Sequence, residues 1–471
     1  MSHVTRSPVG QQAEPSVEPT PISAAATSTR WSSLSLSRAL YLGALMLAGE
    51  YIYMLPYMRR SFQTTMEQAF QVNALELGLI NSMFGILALV CYLPGGWLAD
   101  RFAARQLLVV SLVATGLGGL FLLTSPSFPE LLLLHAAWGI TSVLTFWAAL
   151  IKATRAWGGA DQQGLSFGLL DGGRGLVAAI LVTIATIVFA YADTPGDGLN
   201  SVIALYTAMT FFAALVVWLC VREDALGLER IAAGGAVNIQ QAGAAAGNRP
   251  QENATSHGSP AGSLQRLRAV MSRRSVWLLA VVVFAAFFLY LGTYEFAAYA
   301  ERGYGQSALF GAQLSTVREW MRPVAAVAAG LLADRFLPSV ALQGAFVLLL
   351  VCYAALAMIS GEAGFLIALW VPVVGAAVAV FALRGVYYAA LEETRVPLVL
   401  TGSAVGLVSL VGYLPDVFAP TLAGWFAVTF PGGEGYRMYF GLLCVISVLG
   451  FFASRALGRS HAGNDEKDAQ S

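Results

Sequence analysis

The sequence predicts an all-α membrane protein with twelve transmembrane helices in two pseudo-symmetric six-helix bundles. Three observations carry this reading. Hydrophobic residues make up 57% of the 471 residues and charged residues 11%, against roughly 25% charged in a soluble domain. Apolar segments of about 20 residues, the length that crosses a bilayer as a helix, start near residues 40, 74, 105, 130, 164, 199, 275, 308, 338, 363, 397 and 437. The hexamer Gly96-Trp97-Leu98-Ala99-Asp100-Arg101 returns as Gly330-Leu331-Leu332-Ala333-Asp334-Arg335, about half the chain later, each copy closing an apolar segment with a charged turn.

In chain order, residues 1–35 are polar and rich in Pro, Ser and Thr, which predicts a disordered tail and not a secretory signal. Residues 36–221 hold the first six segments. Residues 222–272 pass through Gly/Ala-rich runs and form a linker. Residues 273–456 hold the second six, and 457–471 form a short tail. The fourth segment ends Phe146-Trp147-Ala148-Ala149-Leu150 and the tenth Tyr387-Tyr388-Ala389-Ala390-Leu391, a further echo between halves. Arg and Lys collect on the tails, the linker and alternate turns, whereas the other turns hold little beyond Arg302 and Arg437. That asymmetry predicts both termini in the cytoplasm of a multi-pass inner (plasma) membrane protein.

Zero net charge gives no field that favours nucleic acid. The four cysteines fall inside apolar segments and the four histidines are scattered, so neither disulfides nor metal sites are expected. No Walker loop, zinc spacing or nucleophile elbow is present, which argues against an enzyme and against a resident cofactor.

The chemistry must therefore lie in charges placed within spanning helices, each costing about 2.5–3.5 kcal/mol on insertion scales. They are Glu50, Arg59, Arg60, Asp171, Arg174, Glu295, Arg318, Glu319, Arg322, Arg384 and Asp416. Asp171 with Arg174, and Glu319 with Arg322, are three apart and can form neutral pairs. Arg318 and Arg322 share a helix face and need carboxylates or an anion between them. Glu50 and Arg59 face opposite sides of a regular helix, and hydropathy alone makes Arg59 an interface anchor. Asp416 follows Pro415, where the helix opens, and can bind a freed N–H or take a proton. Tyr51, Tyr53, Tyr57, Tyr290, Tyr294, Tyr387 and Tyr388 lie near these charges, as packing or as hydroxyl donors to a solute.

The hexamers resemble the cytoplasmic loop motif of the major facilitator superfamily. The first copy matches at Gly96, Asp100, Arg101 and Arg105 and departs at Ala103 and Ala104. The second keeps Gly330, Asp334 and Arg335 before turning to Pro338. The resemblance implies a cytoplasmic gate latch at these residues. Within that superfamily, stretches around Met58–Phe62, Gly168–Ala179, Gly292–Phe296, Arg318–Trp320 and Gly406–Leu414 resemble the organophosphate:phosphate antiporters. That likeness implies that Arg59 lines the central cavity and holds an anion, that Arg174 stands where the group has a substrate-binding histidine, and that Glu319 occupies a functional acidic position. Tyr290 stands where the group has its second substrate arginine, and Asp416 replaces a glycine. These two departures weaken a phosphate-ester exchanger and favour a sugar acid or other carboxylate.

The sequence-level expectation is thus a secondary transporter, a monomer in the lipid bilayer, that moves a small organic anion by rocking two halves around a central site. Arg59, Arg174, Tyr290 and Arg384 would bind substrate. Glu50, Glu295, Glu319 or Asp416 would carry a coupled proton. A proton-driven exporter of drugs or metabolites and a transporter-shaped ligand sensor are the alternatives.

Overall fold

The computed structural model describes residues 36–158, 163–222, 268–333, 337–359, 366–387, 389–394, 396 and 400–470. The 1–35 tail, most of the 222–272 linker, and Asp334 and Arg335 of the second hexamer lie outside the described residues.

Among the described residues twelve helical spans follow in order. They are α1 (Leu36–Met54, continued by Arg59–Ala69), α2 (Ala74–Arg101), α3 (Ala104–Leu122), α4 (Phe128–Ile140, continued through Thr141–Trp147 and Ala148–Gly158), α5 (Gln163–Ala190) and α6 (Pro195–Cys220). The second set is α7 (Arg274–Gly292, continued by Thr293–Glu295 and Phe296–Tyr304), α8 (Ala308–Ala333), α9 (Pro338–Met358), α10 (Ile367–Val386), α11 (Thr401–Gly412, continued by Pro415–Thr429) and α12 (Glu434–Gln470). Eleven of these are long and apolar enough to cross a membrane. The twelfth, α8, carries Arg318, Glu319 and Arg322 within little more than a turn. Residues 457–470, expected as a tail, continue α12 as helix.

Each set of six closes around its own apolar core. Leu45, Ile52, Leu108, Phe146 and Val182 pack in the first; Leu279, Val283, Phe346, Tyr353 and Phe440 pack in the second. Short turns fix antiparallel neighbours. Asn73 caps α2 by accepting the Glu76 N–H at 3.0 Å, and the Glu76 carboxylate accepts the Asn73 N–H at 2.8 Å. Gly305, with φ of 63°, ends α7 in the left-handed conformation before the turn into α8.

The helices meeting between the bundles are irregular where they approach the centre. α1 breaks at 55–58, where Pro56 lacks a donor, and Phe62 is again non-helical. α4 widens into a π-helical stretch at Thr141–Trp147. α7 tightens at Thr293–Glu295 and α11 breaks before Pro415. One end of the molecule, the terminal face, carries the start of α1 and the α2–α3 turn. The distal face carries the turns at 70–73 and 305–307.

Candidate functional site

The four irregular helices, with α2, α5, α8 and α10, surround a cavity of about 150 Å³ between the bundles. The first bundle contributes Glu50, Tyr53, Tyr57 and Arg60 from α1, Tyr92 from α2, Trp147 from α4 and Arg174 from α5. The second contributes Tyr290 and Tyr294 from α7, Arg322 from α8, Arg384 from α10 and Tyr413 and Asp416 from α11. Four arginines thus face two carboxylates.

Ion pairs cross the cavity floor from bundle to bundle. Arg322 donates to Glu50 at 3.3 Å and to Asp171 at 2.9 Å. Arg174 stands 3.6 Å from Glu50 and 3.9 Å from Asp171, and its Nε donates to the Gly49 carbonyl at 2.9 Å. The expected Asp171–Arg174 pair is therefore one edge of a four-membered network, and Asp171 lies closer to Arg322 than to Arg174. Glu319 does not pair with Arg322. It accepts from Arg318 at 2.6 Å and lies 3.5 Å from Arg60 of the other bundle. Arg318 also donates to Thr293 at 2.7 Å and sits among the rings of Tyr290, Tyr294 and Phe381, so carboxylate and aromatic neighbours separate it from Arg322.

Two residues of the site differ from the rest in their partners. Arg384 stacks on Tyr290, its guanidinium carbon 4.2 Å from the ring centre, and among the described residues it makes no ion pair. Asp416 accepts a 2.8 Å hydrogen bond from the Tyr57 hydroxyl and likewise has no cationic partner among the described residues.

Arg59 is not on the cavity. It is buried, and it pairs with buried Glu295 of α7. The neighbouring Arg60 lines the cavity instead. The break at 55–58 adds residues that a regular 3.6-residue register does not count, so the side chains after it take new directions. Pro56 was the available signal. Toward the distal face further pairs join the bundles: Glu67 with Arg302, Thr64 with Glu301, Gln63 with Tyr436 at 3.4 Å, Ser82 with Thr421 at 2.8 Å and Thr186 with Thr316 at 2.8 Å. No sequence motif marked these contacts.

At the first hexamer no latch ion pair is present among the described residues. Asp100 is exposed and makes no ion pair among the described residues. Lys152 of α4 donates instead to the Ala99 carbonyl at 2.7 Å and the Phe102 carbonyl at 3.4 Å, satisfying the C-terminal end of α2. Arg101 stacks on Trp97 and Arg105 on Trp218. Gly96 has open space around its α-carbon, so a close helix approach does not explain it. Gly330 lies near the end of α8, and its charged neighbours are outside the described residues.

The sequence pattern of the Major Facilitator Superfamily matches residues 34–420 of this chain. The chain belongs to that superfamily. Two relatives from Escherichia coli K12 are inner membrane protein YqcE, 26% identical over 86% of this chain and 90% of its own length, and inner membrane protein YihN, 25% identical over 91% and 95%. Among solved structures, a bacterial homolog of the human lysosomal transporter Spinster, in an inward-facing and unoccupied conformation, superposes with a TM-score of 0.64 at 16% identity, over 91% of this chain and 99% of that one. The nucleoside transporter NupG superposes with a TM-score of 0.65 at 11% identity, over 89% and 98%. The protein is a multi-pass membrane transporter of this superfamily and not an enzyme.

Proposed function

We propose that the protein is a secondary transporter of a small organic anion, such as a sugar acid, another carboxylate or a phosphorylated solute, coupled to protons in the inner membrane. The observation that carries this is Arg384, a guanidinium on the cavity wall held by a ring face and by no carboxylate among the described residues. A planar fork in that position suits bidentate recognition of a carboxylate or phosphate. Arg60 and Arg174 of the first bundle face it across the cavity, and Tyr53 and Tyr57 line the wall beside them, where a hydroxyl-bearing solute would find polar neighbours. We assign to Arg60 the binding role expected of Arg59.

Of the four carboxylates considered for the proton, Glu50, Glu295 and Glu319 are each ion-paired with arginine. Protonating any of them breaks an ion pair. Protonating Asp416 breaks none, and its hydrogen bond with Tyr57 joins the two bundles. Asp416 is the proton carrier in this reading. With both termini cytoplasmic, the cross-bundle pairs close the outer face, and the rocking of the halves begins from an inward-facing state.

A thermal-shift screen of the purified transporter against sugar acids, small carboxylates and organic phosphates tests this. Stabilisation by one anion class that is lost in Arg384→Gln supports the assignment. Silence from all of them, with stabilisation by neutral or cationic apolar compounds, sinks it in favour of an exporter.

A further inference from the structure

The terminal face carries a second basic site, away from the transport cavity. Arg274 at the start of α7 and Arg455 and Arg459 near the end of α12 line one crevice together with Leu278, Phe452, Ala456 and Ser460. All three arginines are exposed, and among the described residues none of them has an ion pair or hydrogen-bond partner. Other arginines of this face are held differently. Arg38 stacks on Trp157 and donates to its carbonyl at 2.9 Å, while Arg101 and Arg105 lie on Trp97 and Trp218.

The crevice is polar at one end and apolar at the other. Val445, Val448, Phe452, Arg455 and Arg459 recur at steps of three and four, one face of α12. The first three are exposed, Phe452 by 60%. In a membrane span such a face meets acyl chains. Trp277, one turn from Arg274, is exposed and donates its indole N–H to the Met271 carbonyl at 2.8 Å, as interfacial tryptophans do at headgroup level. The N-cap of α7, Arg273, provides no side-chain cap, so the positive end of the helix adds to the charge of Arg274 beside the crevice.

We propose that this crevice binds an anionic phospholipid, its phosphate held by Arg274, Arg455 and Arg459 and one acyl chain lying along Phe452, Val448 and Val445. A charged cleft between helices at headgroup depth, opening onto an apolar stripe, fits a lipid phosphate better than a free ion. The site joins α7 to α12 within the second bundle, so it anchors that bundle at one membrane surface, and it shares no residue with the transport cavity.

The test is native mass spectrometry of the full-length transporter extracted from nanodiscs containing phosphatidylglycerol and phosphatidylcholine. The parent is expected to retain phosphatidylglycerol preferentially. The Arg274→Gln/Arg455→Gln/Arg459→Gln variant should lose that preference by on the order of a hundredfold, at about 1 kcal/mol per basic residue. A control variant, Arg101→Gln/Arg105→Gln, removes charge from the same face and should keep the preference. Loss of equal size in the control would reduce the effect to general surface charge and overturn the site. Equal retention of both lipids by the parent would overturn it too, as would inorganic phosphate at millimolar concentration displacing the lipid. The three arginines have no intramolecular partner among the described residues, and an unchanged unfolding temperature in phosphatidylcholine alone confirms that the triple variant folds.

Discussion

Arg59 and Glu295 form an ion pair from one bundle to the other, and each is only 2% exposed. The pair is incompletely satisfied, since Arg59 Nε and Nη1 and Glu295 Oε2 find no other partner among the described residues. Burying two charges costs several kcal/mol, and mutual attraction offsets this only in part. The gain is reversibility. On the proposed rocking mechanism both charges return to water when this interface opens, which would keep closure shallow enough to undo.

Arg59→Ala should therefore destabilise the protein by about 3–5 kcal/mol, because it leaves a buried carboxylate without its cation. The double variant Arg59→Met/Glu295→Leu should unfold at or above the parent temperature and yet transport more slowly, because opening now exposes apolar surface. Thermal unfolding in detergent and uptake into proteoliposomes measure the two effects. A double variant as fast as the parent would show that the pair does not set the opening step.

The partners of Asp416 lead to a second expectation. Asp416→Asn keeps a hydrogen-bond acceptor for Tyr57 and removes the titrating group. It should abolish accumulation driven by an imposed pH gradient while leaving substrate counterflow near the parent rate. Glu50→Gln should instead impair both, since it frees Arg174 and Arg322 from a shared carboxylate. Full pH-driven accumulation by Asp416→Asn would move the proton to another group.

At the α2–α11 interface, a β-carbon on Gly85 would stand 2.4 Å from the Asp416 carbonyl oxygen, and one on Gly78 2.4 Å from that of Pro420. Backbone atoms cannot yield as a side-chain tip does, so small residues are needed for the helices to touch. Gly85→Leu should push α2 from α11 and open the distal face. Ser82 and Thr421, whose hydroxyls are 2.8 Å apart, report on this. In a background without native cysteines, Ser82→Cys/Thr421→Cys should crosslink readily and should do so much more slowly once Gly85→Leu is added. Equal rates would mean that the helices accommodate the side chain without separating.

Twelve spans and their duplication were legible because hydropathy over some 20 residues averages out local irregularity. The list of membrane charges was legible for the same reason, since any Arg or Glu in such a segment stands out. Their partners were not. Glu50 and Arg322, or Arg59 and Glu295, are far apart in sequence and meet only through the packing of two bundles. The exchange of Arg59 for Arg60 shows the scale of the problem. One residue of register after the Pro56 break decides whether an arginine faces the cavity or another helix. At the first hexamer Asp100 has no ion pair among the described residues, and Asp334 and Arg335 of the second copy lie outside them. Lys152, from a helix far away in sequence, satisfies the end of α2 instead.

The stacking of Arg384 on Tyr290 separates two roles of the tyrosine. The ring face holds the guanidinium, while the hydroxyl accepts a 2.9 Å hydrogen bond from Tyr294. A cation over a desolvated aromatic face contributes about 0.5–2 kcal/mol, and without the ring Arg384 samples more rotamers. Tyr290→Phe keeps the face and should bind the transported anion within about twofold of the parent, whereas Tyr290→Leu should weaken it roughly 3- to 30-fold. Arg384→Lys keeps the charge but loses the fork and the stacking geometry, and should resemble Tyr290→Leu more than the parent. In the double variant Arg384→Lys/Tyr290→Leu the losses should add to less than their sum, because each single change has already released the same contact. Isothermal titration with the anion found in the screen measures all four. Fully additive losses would mean that Tyr290 meets the solute by itself and does not act by positioning Arg384.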